Sequence, residues 1–171
     1  MGWLKRKKKS KTMDVPPILD RMDYHYDSTL EAYLIKHRKK LEELNREDEE
    51  TIMRYASAHL GFFIKWMLIK HYENEEEFDG DEMSIALVRQ GTLSGTDFLL
   101  DVCDGKLLSC MIADDWIQDL YDYYEHSYLE DYTSWMDLQG YELYSFQEIR
   151  EAYDSFAAYI EDGYVLHQKY R

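Results

Sequence analysis

The sequence predicts an all-α fold, an irregular single-domain helical bundle with at most a minor short strand pair. Three observations carry this. Only 2 Pro and 8 Gly are spread over 171 residues, too few for the closely spaced turns of a sandwich or barrel of many short strands. Apolar residues recur at spacings of three and four through several long segments, and no strand pattern runs longer than four residues. Apolar residues make up 45% and aromatics 15%, including 16 Tyr, enough to bury a substantial core.

The chain opens on residues 1–17, read as a basic, disordered tail and linker ahead of a helical domain at 18–171. Lys5, Arg6, Lys7, Lys8, Lys9 and Lys11 are followed by no apolar core of a secretory signal. The stretch reads as a solubilising tail or, through Trp3, Leu4 and the bases, as a weak contact with an anionic membrane by residues 1–11. Pro16 and Pro17 forbid helix at that point.

A capping box from Ser28 to Glu31 then predicts a first helix through Asn45, with Leu30, Tyr33, Leu34, Leu41 and Leu44 on one stripe. Lys36, Arg38, Lys39 and Lys40 lie on its far face. From Glu49 to about His71, Ile52, Tyr55, Ala56, His59, Leu60, Phe63, Trp66 and Met67 keep a strong helical period, which predicts the central helix. Leu60 to Ile69 is nearly all apolar but too short to span a bilayer, which needs ~20 residues. Residues 73–81 read as an exposed acidic loop without the ligand order of a calcium-binding loop.

Glu82 to Arg89 predicts a short helix, and the turn from Gly91 to Gly95 leaves Thr96 to cap another through Cys103, stopped at Gly105. Ala113 to about Met136 predicts a long amphipathic helix, with Trp116, Leu120, Tyr123, Tyr124, Tyr128 and Trp135 inward and Asp115, Asp119 and Asp122 outward. Gly140 ends it, and Tyr141 to Tyr144 is read as extended. A second capping box, Ser145 to Glu148, opens a helix through Asp162 that Gly163 terminates.

Charge is the strongest functional signal. The net charge is -15, although the first thirteen residues carry six bases and no acid. Residues 72–163 hold 24 acids against Arg89, Lys106 and Arg150. Such a surface repels phosphate backbones, so nucleic acid is excluded as a partner of the folded body, and a basic protein is steered toward it. Cys103 and Cys110 are too few for a disulfide scaffold, which suggests a reducing cytoplasm, including the inner face of the membrane if the tail binds there. No phosphate-binding glycine loop, nucleophile elbow, dinucleotide fingerprint or paired CxxC is present. The six His show no local metal-ligand spacing, so no metal and no cofactor is expected.

Several blocks resemble a bacterial family known only as a domain of unknown function. They are Tyr24-His25-Tyr26, Ala58-His59-Leu60-Gly61 running to Trp66, Gly95-Thr96-Asp97-Phe98-Leu99 with Cys103-Asp104-Gly105-Lys106-Leu107, and Tyr123-Tyr124 with Tyr128-Leu129-Glu130-Asp131-Tyr132. The likeness covers roughly residues 22–171. It departs in Tyr24, where the family often has Trp, and in the long helix and linker between the first two blocks. Proteins of this type look like the small acidic immunity proteins of polymorphic toxin systems, and the resemblance brings no catalytic activity.

His59 in an apolar stripe and Asp131 on the inward side of its helix are costly to bury unless paired. They read as hydrogen-bonded core residues, tied to Tyr hydroxyls or to each other, with an acid-base or metal pair as the alternative. The expected function is that of an acidic binding protein that neutralises a cognate toxin by direct contact. Asp115, Asp119, Asp122, Glu75, Glu76, Glu77 and Asp79 are the candidate partner-binding residues. A small enzyme using His59 with acidic partners, or a peripheral membrane adaptor held by the basic tail, are the alternatives.

Overall fold

The computed structural model describes residues 14–146 and 148–170. Among them the chain is mainly helical, with one antiparallel strand pair, as the composition implies. β1 (Ile18–Arg21) lies against β2 (Lys106–Leu108), Arg21 opposite Lys106 and Ile18 opposite Leu108. The basic stretch at residues 1–11 lies outside the described residues.

α1 spans Asp23–His37, earlier at both ends than its capping box suggests. Ser28 sits inside it, exposed. The helix instead starts where Met22 leaves β1 and donates its N–H to the Gly105 carbonyl at 2.8 Å, and it stops where Arg38 turns left-handed at φ 52°. Lys39 then reaches Asp48 on the next helix, at 2.6 and 2.7 Å, which holds the reversal that a continuous helix to Asn45 would have prevented. Leu41 is accordingly exposed.

α2 (Arg46–Ile69) is the central helix. The Asn45 side chain accepts from the Asp48 N–H at 3.1 Å, and Asp48 accepts from the Asn45 N–H at 3.0 Å, a reciprocal cap. Every residue from Ala56 to Leu68 is buried, so this stretch is surrounded on all faces rather than amphipathic. Gly61 allows that. A Cβ there would stand 2.6 Å from the Thr96 Cα, and one at Gly95 would stand 2.0 Å from the Gly61 carbonyl oxygen, so the backbones of α2 and α4 meet without side chains between them.

α3 (Glu82–Arg89) occupies the residues expected, and α4 (Gly95–Asp101) is capped by Ser94, whose Oγ accepts from the Asp97 N–H at 2.9 Å. Thr96 is not the cap but a buried member of the first turn. The predicted helix at 113–136 divides into α5 (Ile117–Tyr123), a wider turn at Tyr124–Tyr128 and α6 (Leu129–Gln139), ended by left-handed Gly140 at φ 72°. The wide turn brings Tyr123, Tyr124, Tyr128 and Tyr132 all into the core.

α7 (Arg150–Tyr170) runs straight through Gly163. That glycine makes room rather than ending the helix, because a Cβ would fall 2.1 Å from Asp131 Oδ2. Residues 141–146 form turns, not an extended strand. The core is largely aromatic: Phe62 of α2 lies between Phe156 at 4.7 Å and Trp135 at 5.6 Å, in the offset and edge-on geometries rings prefer. Among the described residues no helix is long and apolar enough to cross a membrane.

Candidate functional site

Three polar features stand out from this core. The first gathers side chains from four elements. Asp20 is the third residue of β1, His25 lies in the first turn of α1, His59 is midway along α2, and Tyr124 opens the wide turn after α5. His25 Nε2 stands 2.9 Å from Asp20 Oδ1 and 3.2 Å from His59 Nε2, which is itself 3.5 Å from Asp20 Oδ2. The Tyr124 hydroxyl donates to Asp20 Oδ2 at 2.6 Å, and the Arg21 N–H donates to Oδ1 at 2.7 Å.

Burial alone would raise the Asp20 carboxyl pKa. Hydrogen bonds from His25, His59 and Tyr124 outweigh it and hold Asp20 ionised well below the usual carboxylate range. Burial lowers the His59 imidazole, and His25 nearby adds to that against the opposing pull of Asp20. One ligand atom from each of Asp20, His25 and His59 lies within 4.8 Å of the others, so this trio is able to hold a metal ion. No local sequence signal marks the pairing, since the two His stand 34 residues apart on different helices.

The second feature is the acidic loop between α2 and α3. It is not simply solvated. Phe78 is buried against Phe98, ring centres 5.7 Å apart, and the Asn74 N–H donates to the Met111 carbonyl at 2.9 Å. Glu73 is buried and ion-paired through Oε1 with Arg89 of α3. Its Oε2 is sealed without a hydrogen-bond partner among the described residues. With those anchors in place, Glu75, Glu76, Glu77 and Asp79 project from a fixed loop, all exposed. Two cavities of about 520 and 420 Å³ flank it and share Glu73, Glu75 and Glu76 as a common wall. Asp79, Glu82 and Arg89 line the larger one, and Asp114 the smaller.

The third feature overturns part of the predicted acidic helix face. Asp115 is exposed but lies in the turn before α5, Asp119 is half-buried on α5, and Asp122 is buried. Asp122 Oδ2 stands 2.8 Å from His167 Nε2 of α7, whose Nδ1 meets Ser127 Oγ at 2.9 Å. Because α7 continues past Gly163, it covers this side of α5, and Asp122 is turned into the interior instead of outward. Hydroxyl, imidazole and carboxylate follow one another here as in a nucleophilic triad. Ser127 lies in the wide turn after α5 and His167 in the last turns of α7, so the three groups come from three elements packed side by side.

His59 and Asp131 are not joined to each other. Asp131 is half-buried and accepts from the Tyr123 hydroxyl at 2.6 Å. Burial raises its carboxyl above the ordinary value despite that bond. His59 is buried as expected, and its carbonyl accepts from the Tyr128 hydroxyl. Cys103 is buried and its thiol is pushed up to about 12 by desolvation, while Cys110 is exposed, and the two are free thiols.

The profile of a family described as a domain of unknown function (DUF7832) matches residues 18–146. The match takes in Asp20, His25, His59, Tyr124 and the whole acidic loop. No curated protein and no solved structure matches the chain.

Proposed function

We propose that this chain, which belongs to the DUF7832 family, is an acidic binding protein that captures a cationic protein partner, and that the partner is a toxin whose basic, nucleic-acid-binding cleft it fills. The observation that carries this reading is the anchored acidic loop. Glu75, Glu76 and Asp79 stand on a loop fixed by Phe78 and Glu73, between two cavities lined with further carboxylates. Glu73 adds a buried oxygen with no hydrogen-bond partner among the described residues. Leaving such a group unpaired costs about 1–3 kcal/mol, more when it is charged. A Lys or Arg side chain entering the larger cavity would meet the carboxylates of Glu75, Glu76, Asp79 and Glu82 on its wall.

The charge balance works in the same direction. A field built from 24 acids and three bases over residues 72–163 speeds encounter with a basic surface and disfavours a second acidic one. Occupying the positions where phosphates go is a direct way to silence an enzyme that acts on nucleic acid.

The test is co-expression with the toxin gene expected beside this one. The parent chain restores growth, and a Glu75→Lys, Glu76→Lys, Asp79→Lys variant with an unchanged circular dichroism spectrum does not. Full protection by that variant would remove the acidic loop from the interface.

A further inference from the structure

The Asp20, His25 and His59 cluster holds more acceptors than protons to share. If His25 Nε2 carries a proton and gives it to Asp20 Oδ1 at 2.9 Å, it cannot also accept from His59 Nε2 at 3.2 Å. If His59 donates to His25 instead, a nitrogen lone pair faces the carboxylate oxygen. If both nitrogens are protonated, each faces Asp20, His25 at 2.9 Å and His59 across a long 3.5 Å, and the 3.2 Å contact between the two nitrogens is left with no lone pair to accept. No neutral tautomer pair satisfies all three contacts.

A cation does. Two imidazole nitrogens bound to one tetrahedral zinc at ~2.0–2.1 Å stand ~3.3–3.4 Å apart, close to the separation found here. We propose that Asp20, His25 and His59 form a binding site for a single divalent transition-metal ion of the zinc class. Two imidazoles and one carboxylate suit a borderline ion better than calcium or magnesium, which take oxygen ligands.

The surroundings are arranged for that role. Tyr124 donates to Oδ2 of Asp20 and the Arg21 N–H to Oδ1, so both oxygens are oriented from outside while each keeps a lone pair toward the histidines. β1 contributes Asp20 only because β2 pins it, and Gly105 at the head of β2 holds Met22 at the start of α1. The side chains of Asp20 and His59 are 9% and 7% exposed against 19% for His25, so solvent reaches the cluster on the His25 side. A fourth ligand, water or a small molecule, enters there.

The experiment uses the full chain, purified without a polyhistidine tag and stripped with a chelator. Zn²⁺ is then titrated against a chromophoric competitor, and Co²⁺ is added separately to read coordination from its visible absorption. One equivalent of Zn²⁺ is expected to bind with submicromolar affinity and to raise the thermal midpoint. His25→Ala, at the most exposed and least disruptive of the three positions, is expected to lose that equivalent, the cobalt spectrum and the thermal shift while keeping the helical circular dichroism signal. Tyr124→Phe should weaken affinity roughly 10- to 100-fold, as removal of an outer-shell partner does. Binding weaker than about 10 µM in the parent, or binding and cobalt absorption unchanged in His25→Ala, would overturn the proposal. Either failure leaves the acidic loop untouched, since no residue of the cluster lines its two cavities.

Discussion

Lys65 Nζ of α2 lies 2.9 Å from Glu148 Oε1, with both side chains almost wholly sealed from solvent. The same carboxylate accepts from the Gly95 N–H at 3.2 Å, the Thr96 N–H at 2.9 Å and the Thr96 hydroxyl at 3.1 Å. Lys65 also sits 4.0 Å above the ring centre of Tyr153. One carboxylate just ahead of α7 thus ties the central helix to the first turn of α4. Losing one member of a buried pair strands the other, at about 3–5 kcal/mol. Lys65→Met is expected to lower the unfolding free energy by that amount in urea, and Lys65→Met with Glu148→Gln to recover part of it. A loss below about 1 kcal/mol for the single variant would mean that the pair is open to water.

Gly61→Ala should also destabilise the chain, although alanine is favoured over glycine in a helix by about 1 kcal/mol. The added methyl would meet Thr96 backbone atoms at 2.5 and 2.6 Å, which cannot rotate away. Overpacking of this kind costs about 1–3 kcal/mol, so a lowered thermal midpoint is expected. Gly163→Ala meets a carboxylate side chain that can swing aside, and its cost should be smaller. A higher midpoint for Gly61→Ala would contradict the close crossing of α2 and α4.

Much of the fold was legible because period-3.6 patterning and caps are local signals. α2 as the central helix, α3 to the residue, and the stop at Gly140 all follow from that. What was not legible depended on distant partners. Ser145 and Glu148 have capping-box spacing, yet Glu148 is drawn to Lys65 and Thr96, and Ser145 Oγ donates to Glu142 instead. Gly163 reads as a helix stop until Asp131 is seen resting on it. Asp122 reads as exposed until α7 runs on to bring His167 across it. His59 could be singled out as an odd residue in an apolar stripe, whereas Asp20 and His25 become its partners only because the β1 and β2 pairing places them there. The tail's role rests on residues 1–13, outside those described.

Thiol chemistry should separate the two cysteines. Desolvation pushes the Cys103 thiol to about 12, and the thiolate is the reactive form. Cys110 is exposed, with a smaller upward shift from partial burial and the nearby Glu77 carboxylate. A disulfide reagent at pH 8 is expected to modify one thiol of the native protein and the second only after denaturation. Two equally fast thiols would show that the core around Cys103 opens readily.

Asp48 should make the chain acid-sensitive. Hydrogen bonds from Lys39, Tyr33 and the Asn45 backbone hold its carboxyl well below the ordinary 3.8. The unfolded chain therefore takes up this proton first. The stabilisation is fully present above about pH 5 and fades as pH falls through and below 4. Asp48→Asn is expected to be less stable than the parent at pH 7, with the gap closing on acidification. A gap that stays constant from pH 7 to 3 would mean that the charge on Asp48 contributes nothing.

The last expectation concerns how a cationic partner finds the chain. Long-range attraction acts on encounter, whereas packing and short contacts set the dissociation rate. As ionic strength rises, the screening length contracts from about 10 Å at 0.1 M to about 3 Å at 1 M. The association rate should fall across that range, with dissociation changing little. Glu75→Lys, Glu76→Lys and Asp79→Lys together should slow association at low salt and flatten its salt dependence, because all three side chains are exposed on the loop anchored by Phe78. Asp115→Lys, exposed in the turn before α5 near Asp114 of the smaller cavity, should have a weaker effect in the same direction. Asp122→Lys belongs to another category: it would break the contact with His167, so it should lower stability instead of the association rate in whatever fraction stays folded. If the triple loop variant associates as fast as the parent at low salt, the acidic loop does not steer the partner, and the interface must be sought on another face.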